Sequence, residues 1–536
     1  MLTRVTPTST DIAPELRAAF IRYERALMAN DVAALDGLFA AGRETIRSDR
    51  GTTLVGHDAI ADFRAGRPGA PLRELLRVHI RVVGDNMAVI VAESRRIDGS
   101  AAVQTQIWEQ ADRGCWVVTS AHVSGAPAPA MDLGCAPDDP TIWRVAPSAV
   151  PIAVGVDAVL GHARVAVKDL FAVAGHAIGA GNPTWLRSAR IESDHAGAVA
   201  ALLAAGADIV GIAHTDEFAF SLAGTNMHWG TPPNPNAAGR ITGGSTSGPA
   251  AAVAAGFADI ALGTDTAGSI RVPASYCGLY GLRTTHNAVT RKGMLGLAPS
   301  FDTVGVLTRD AELLARASSA LLPDQPVHTI STILVAPELV ALAEPSVQLA
   351  FSAALCALCV RDSASGRELP VPVTISLEFP SGAKLDDIFR AFRTVQQAEA
   401  WQSHGAFVTE NPDDMDPAVV GRLRAGSSVD PGCEATARDL LADTRDYLRA
   451  LLPPGTILAL PSTSSPAPLR DSPTELVEST RDATLRLTCL ASLAGLPALS
   501  IPTPLVGLLP VGLCLIAGSG QDRSLLEFAV TENSSQ

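Results

Sequence analysis

The sequence predicts two unlike folds in series: an α+β domain over residues 1–125 and a larger α/β domain over 146–536, joined by a linker at 126–145. Three observations predict this. Residues 1–125 place helical periodicity first and strand-like runs after it. Residues 126–142 are rich in Pro, Ala and other small residues. From about 146 onward, apolar strand-like runs alternate with Ala/Leu-rich helical stretches, the order of a central mixed β-sheet covered by helices on both faces.

In the first domain Leu16, Phe20, Tyr23 and Leu27 recur at helical spacing, and Asp31 reads as the cap of a short helix over 32–39. Strand-like runs follow at 75–83, 87–95, 103–109 and 115–123, a meander expected to curve around a helix. In the second domain the alternation gives a strand at 164–167, a helix at 196–205, a strand at 209–213, a helix at 248–255 and a strand at 259–262. Asp216-Glu217 reads as a helix cap or solvated turn. His162, His176, His195, His214, His228 and His286 read as ordinary surface or core residues.

Composition narrows the function. The chain has 536 residues, 47% hydrophobic and 18% charged, enough for a substantial core. A net charge of −14 argues against a nucleic-acid surface, which needs clustered Lys and Arg. The first residues hold no long apolar stretch, so no secretory signal is read. The longest apolar region, 487–501, is too short to span a membrane and contains Pro497. Eight cysteines follow no framework. Cys356 and Cys359 form a CxxC inside a run, 351–360, that reads as a buried helix, so they are taken as core thiols; no metal site is expected. The expected compartment is the cytoplasm, and no membrane or nucleic-acid partner is expected.

The chemistry concentrates in residues 239–283. Ser245 and Ser269 sit in glycine turns, separated by a helix and a strand. Pro249 fits the first helical turn, and Gly256 can end the helix in a left-handed conformation. After the strand, Gly263-Thr-Asp-Thr-Ala-Gly-Ser turns sharply and exposes successive N–H groups, a natural nest for an oxyanion. A serine needs a base within reach. Gly-x-Ser-x-Gly is absent around both serines, and no Walker lysine or Gly-x-Gly-x-x-Gly accompanies the glycines. A lysine can be that base if burial makes it neutral near pH 7, and Lys168 stands at the end of an apolar strand. The residues alone do not bring Lys168 to Ser245.

Val167-Lys-Asp, Gly224-Thr-Asn, Gly243-Gly-Ser-Thr-Ser-Gly, Gly263-Thr-Asp-Thr-Ala-Gly-Ser-Ile-Arg-Val-Pro-Ala and Gly278-Leu-Tyr-Gly-Leu-Arg together resemble the amidase signature of serine hydrolases, from about 150 to the C-terminus. The resemblance implies a Ser–Ser–Lys triad: Ser269 the acylating nucleophile, Ser245 the proton relay after a cis peptide bond from Gly244, and Lys168 the base. It implies an oxyanion hole from the N–H groups of Thr266, Ala267, Gly268 and Ser269, with Asp265 and Arg271 bracing the loop and no cofactor. Ala267 replaces a usual glycine, and Thr246 replaces a usual serine. The implied reaction is hydrolysis of a linear amide to carboxylate and ammonia or amine. Similarity of 276–305 to indole-3-acetamide hydrolase-like amidases points to small aryl or alkyl amides. Loops at 389–404 and 462–468 are expected to supply pocket walls. A catalytically silent scaffold of the same fold is the alternative from another class.

In the first domain, Arg22-Tyr-Glu-Arg-Ala-Leu, Gly56-His-Asp-Ala-Ile-Ala-Asp-Phe-Arg and Ala121-His-Val-Ser resemble the AtzH-like branch of the NTF2-like, cone-shaped domains. That implies a polar pocket at Tyr23, Arg47, Arg64 and His122. The usual Arg-Tyr-Gly reads Arg47-Ser-Asp, and a usual Gly-Arg reads Ala102-Val103, which favours a non-catalytic domain that makes a homodimer. On a strand, His122 alone reads as a core histidine. This domain makes urea derivatives of the biuret or carboxyurea type the rival substrates.

Overall fold

The computed structural model describes residues 13–28, 31–49, 52–65, 73–84, 86–96, 101–111, 115–125, 136–156, 159–360, 371–503, 506 and 509–534. The chain forms two compact units that divide between Asp132 and Leu133.

The first unit contains β1 (Ile46–Asp49), β2 (Thr52–Val55), β3 (Arg73–Val83), β4 (Met87–Arg96), β5 (Ala101–Gln110) and β6 (Trp116–Gly125), in sheet order β2-β1-β6-β5-β4-β3. The meander β3 to β6 follows the expected runs. The pair β1–β2 was not read from the sequence; β1 joins β6 in parallel. Leu16, Phe20 and Tyr23 of helix Pro14–Met28 share one core with Val78, Ile80, Ile90, Trp108 and Val118, so this helix lies on the sheet. Asp31 caps Val32–Asp36 by accepting from the Ala34 N–H at 2.9 Å.

The second unit continues with β7 (Trp143–Val145), β8 (Arg164–Lys168), β9 (Asp208–Ala213), β10 (Ile260–Asp265), β11 (Tyr280–Arg283), β12 (Thr303–Thr308), β13 (Thr332–Val335), β14 (Val371–Thr374), β15 (Thr456–Pro461), β16 (Ala498–Pro502) and β17 (Gly512–Ala517). They make one mixed sheet in the order β14-β13-β15-β17-β16-β11-β12-β10-β8-β9-β7. Strands β8, β9 and β10 run parallel and β12 antiparallel. Helices cover both faces, as the alternation along β15 shows: Ile457 and Ala459 enter one core, Leu458 and Leu460 the other. Such two-sided burial explains the near-continuous apolar reading of these strands.

Three expectations change here. The first half of the linker, 126–135, lies outside the described residues. Its second half contains β7, which pairs with β9; Ile142 just before the strand and Trp143 within it are buried. The run 351–360 belongs to helix Pro345–Val360, where Val347, Ala350, Phe351, Ala354 and Leu358 are buried among the described residues; Cys356 is exposed rather than a core thiol, and the side chain of Cys359 lies outside the described residues. Residues 389–404 are not a loop but part of helix Leu385–Glu410. Among the described residues, no helix is long and apolar enough to cross a membrane.

Candidate active site

Ligands in open α/β sheets gather at the carboxyl ends of parallel strands, and Lys168 and the Ser269 turn stand at such ends. Lys168 closes β8, and β10 runs beside it with Val167 opposite Leu262. After Asp265 the chain turns through 266–269 and enters helix Arg271–Cys277. Ser269 therefore sits between strand and helix, 3% exposed.

The fully buried Lys168 Nζ donates to Ser245 Oγ at 2.8 Å, Thr264 Oγ1 at 2.8 Å and Thr246 Oγ1 at 3.1 Å. Burial pulls its pKa down to about 7, against the opposing pull of Asp216, Asp265 and Asp302. Ser245 follows a cis peptide bond from Gly244, and its carbonyl accepts from Thr215 Oγ1 at 2.8 Å. Gly244 lies against the Asp216 carboxylate so closely that a Cβ would meet its Oδ1 at 2.6 Å. Neighbouring Asp169 faces the other way, 2.8 Å from Arg144 Nε. Thr264 was missed in the sequence: plain alternation puts it on the face of Leu262, whereas Lys168 continues the face of Ala166 in the other core, so no periodicity pairs the two.

Asp265 braces the turn. Arg271 grips both its oxygens, Nε to Oδ2 at 3.0 Å and Nη2 to Oδ1 at 2.9 Å, and Arg283 Nη1 reaches Oδ1 at 3.0 Å, all three side chains fully buried. Burial alone would raise this carboxyl, but the two guanidiniums hold it well below the usual carboxylate range. Arg283, not singled out from the sequence, thus shares the role expected of Arg271.

The same carboxylate corrects the expected oxyanion hole. Asp265 accepts from the Gly268 N–H at 2.8 Å and the Ile270 N–H at 3.2 Å, so the Gly268 donor is already engaged. Among the described residues, the N–H groups of Thr266, Ala267 and Ser269 meet no such acceptor. Gly268 takes φ +128, a conformation available to glycine, whereas Ala267 keeps a negative φ. Thr488 Oγ1 donates to the Ala267 carbonyl at 2.6 Å, and Asp302 Oδ1 accepts from Thr266 Oγ1 at 2.6 Å, fixing both sides of the turn.

Asp216-Glu217 is neither solvated nor a side-chain cap. Asp216 accepts from the Gly224 N–H at 2.9 Å and from Ser247 Oγ at 3.0 Å. Glu217 accepts from Asn182 Nδ2 at 2.6 Å, His228 Nε2 at 3.0 Å and the Asp416 N–H at 2.9 Å. Both acids are buried, and burial raises the Asp216 pKa.

In the first unit, the Arg64 guanidinium lies 3.9 Å over the Phe39 ring and that of Arg47 lies 4.6 Å over Phe63. Buried Tyr23 accepts from Gln104 Nε2 at 2.8 Å. His122 is exposed, and this overturns both its place in the pocket and its reading as a core histidine. The cause is a bulge: Trp108 pairs with Val118 but Ile107 pairs with Ser120, so the extra residue, Thr119, flips the alternation and turns Ala121 inward.

A family model described as Amidase matches residues 163–350, and one described as AtzH-like matches 8–128. The chain is 34% identical over 381 residues to Amidase 1 of Oryza sativa subsp. japonica, covering 67% of this chain and 87% of that protein. It is also 34% identical to Amidase 1 of Arabidopsis thaliana, over 67% of this chain and 90% of that one. Among solved structures, an inhibitor-bound vestigial protein complex, described as revealing the evolutionary origins of an s-triazine catabolic enzyme, matches with TM-score 0.62 and 27% identity. That match covers 71% of this chain and 85% of that chain.

Proposed function

We propose, from the premise that this chain belongs to the amidase family and hydrolyses amide C–N bonds, that it cleaves linear carboxamides through an acyl-enzyme on Ser269. The observation that carries this reading is the buried contact of Lys168 Nζ with Ser245 Oγ, with Lys168 drawn down to about 7 by burial. In the first half-reaction, neutral Lys168 takes the Ser245 proton as Ser245 takes that of Ser269. Ser269 Oγ then bonds to the carbonyl carbon. The N–H groups of Thr266, Ala267 and Ser269 stabilise the oxyanion; each such donor is typically worth about 2.7–4 kcal/mol in the transition state. Collapse breaks the C–N bond, and the proton held by Lys168 returns through Ser245 to the departing amine. Water then repeats the sequence on the ester and frees the carboxylate.

Hydrolysis of urea derivatives such as biuret is the second reading, favoured by the AtzH-like match and the s-triazine-related structural neighbour. We assign no catalysis to the first unit and propose that it makes a homodimer, in a cytoplasmic enzyme. Ammonia release from a panel of alkyl and aryl carboxamides and biuret, with Ser269→Ala beside the wild type, tests the function. Hydrolysis lost in the variant supports it; equal rates in both proteins, or none in either, overturn it. Sedimentation of the full chain at the monomer mass would dispose of the dimer.

A further inference from the structure

Helix Thr474–Ala494 runs past the site, and from Thr484 to Ala494 all of its residues except Arg486 are buried. Thr488, which touches the Ala267 carbonyl, and Arg481, seven residues earlier, fall on the same line of the helix, because seven residues are close to two turns. Arg481 therefore points to the same side about 10 Å along the axis.

Its surroundings are unusual for a buried cation. The Arg481 side chain is 9% exposed, yet among the described residues its guanidinium makes no hydrogen bond, and its Nε is buried without a partner. Its nearest acids stand off, Glu478 Oε2 at 3.8 Å and Asp482 Oδ1 at 3.6 Å from Nη1. Glu478 is engaged instead by Arg422 Nη1 at 3.1 Å, and Asp482 is shared with Arg393 Nη1 at 3.6 Å. Three guanidiniums thus face two carboxylates, which are themselves 42% and 39% exposed. A guanidinium offers five donors and is costly to bury without acceptors. Burial and the nearby Arg422 and Arg393 accordingly lower the Arg481 pKa to about 10.

We propose that Arg481 is a specificity-determining residue that binds a carboxylate at the far end of the substrate, so that the preferred substrates are amides with an acidic tail about 10 Å from the scissile carbonyl. This rests on the amidase reading above and narrows its substrate class. The carboxylate supplies the acceptors that Arg481 lacks and balances the surplus positive charge of the three arginines. Arg422, anchored on Glu478, keeps that acid from taking the place of the substrate.

The test compares suberic acid monoamide with octanamide, matched in length, in wild type, Arg481→Met and Arg481→Lys. Wild type is expected to favour the acid-tailed amide in kcat/KM by about tenfold or more, the scale of a charge-assisted hydrogen bond. Arg481→Met should erase that ratio, mainly through KM, and Arg481→Lys should keep part of it. A wild-type ratio of one or below, or a ratio unchanged in Arg481→Met, overturns the assignment. Calorimetry with suberate supplies a readout independent of turnover. Binding to the wild type that is lost in a folded Arg481→Met supports the subsite; no binding to the wild type overturns it, whatever becomes of Arg481→Met. Octanamide hydrolysis dependent on Ser269, without preference for the acid tail, removes only the subsite. Suberate binding without any amide hydrolysis removes only the amidase mechanism.

Discussion

Lys168 Nζ and Ser245 Oγ are 2.8 Å apart in a site where both side chains are fully buried. No water layer screens this pair, so the proton on one is felt directly by the other. The proposed mechanism depends on that contact.

Lys168→Met should lower kcat/KM by about 10²–10⁴-fold, the range of general acid–base catalysis. A fluorophosphonate probe should label the wild type and fail on Ser269→Ala. Labelling that survives Ser269→Ala and is lost in Ser245→Ala would exchange the roles of the two serines.

The pH profile should have one acidic limb from Lys168. Burial brings its pKa down to about 7, and the neutral amine is the active form. Thus kcat/KM should rise about tenfold per pH unit below about 7 and level off above it. A flat profile between pH 5 and 8 would exclude Lys168 as the base.

Removing one brace of Asp265 leaves a buried charge poorly compensated. Arg271→Met should cost about 3–5 kcal/mol in denaturant unfolding. Asp265 is held below its ordinary range, so its stabilising contribution is full above the unfolded carboxylate pKa of about 4 and is lost as the pH falls toward the folded value. The difference between wild type and Asp265→Asn should therefore shrink in acid.

Gly244→Ala would drive a Cβ into the Asp216 carboxylate, whose Cγ would lie at 2.7 Å. It should lower both melting temperature and kcat. The control Gly421→Ala, where a Cβ meets nothing within 4 Å, should lower neither.

In the first unit, His122→Ala should change stability by no more than about 0.5 kcal/mol, because the side chain is exposed. Arg64→Ala, which removes a buried guanidinium from the Phe39 ring, should cost about 1–3 kcal/mol. Calorimetry on the full chain separates the two outcomes.

The parallel core of the second unit was legible because β8 and β10 are buried on both faces and read as short apolar runs between turn residues. Lys168, Ser245 and Ser269 were legible as types in glycine turns; their assembly was not, since residues 77 positions apart meet only through the sheet. His122 was misplaced because one bulged residue inverts a period of two, and a bulge at Thr119 leaves no mark in composition. Asp216 and Glu217 were misread because a carboxylate buried among N–H and hydroxyl donors looks, in sequence, like any acidic pair. The engagement of the Gly268 donor is not legible, because spacing alone does not show that the Asp265 side chain folds back over the turn to accept its hydrogen.

The ladder between β8 and β10, with Val167 opposite Leu262, has an evolutionary consequence. It sets the separation of the base from the turn that carries Ser269 through backbone bonds. Within the interval between the two strands, Asp216 and the turn 244–247 must keep their places, because Ser245 and Thr246 meet Lys168 there. The stretches of that interval that carry no site residue can lengthen, shorten or change while the two strand ends stay where they are, so new substrates can be acquired there without rebuilding the reaction centre.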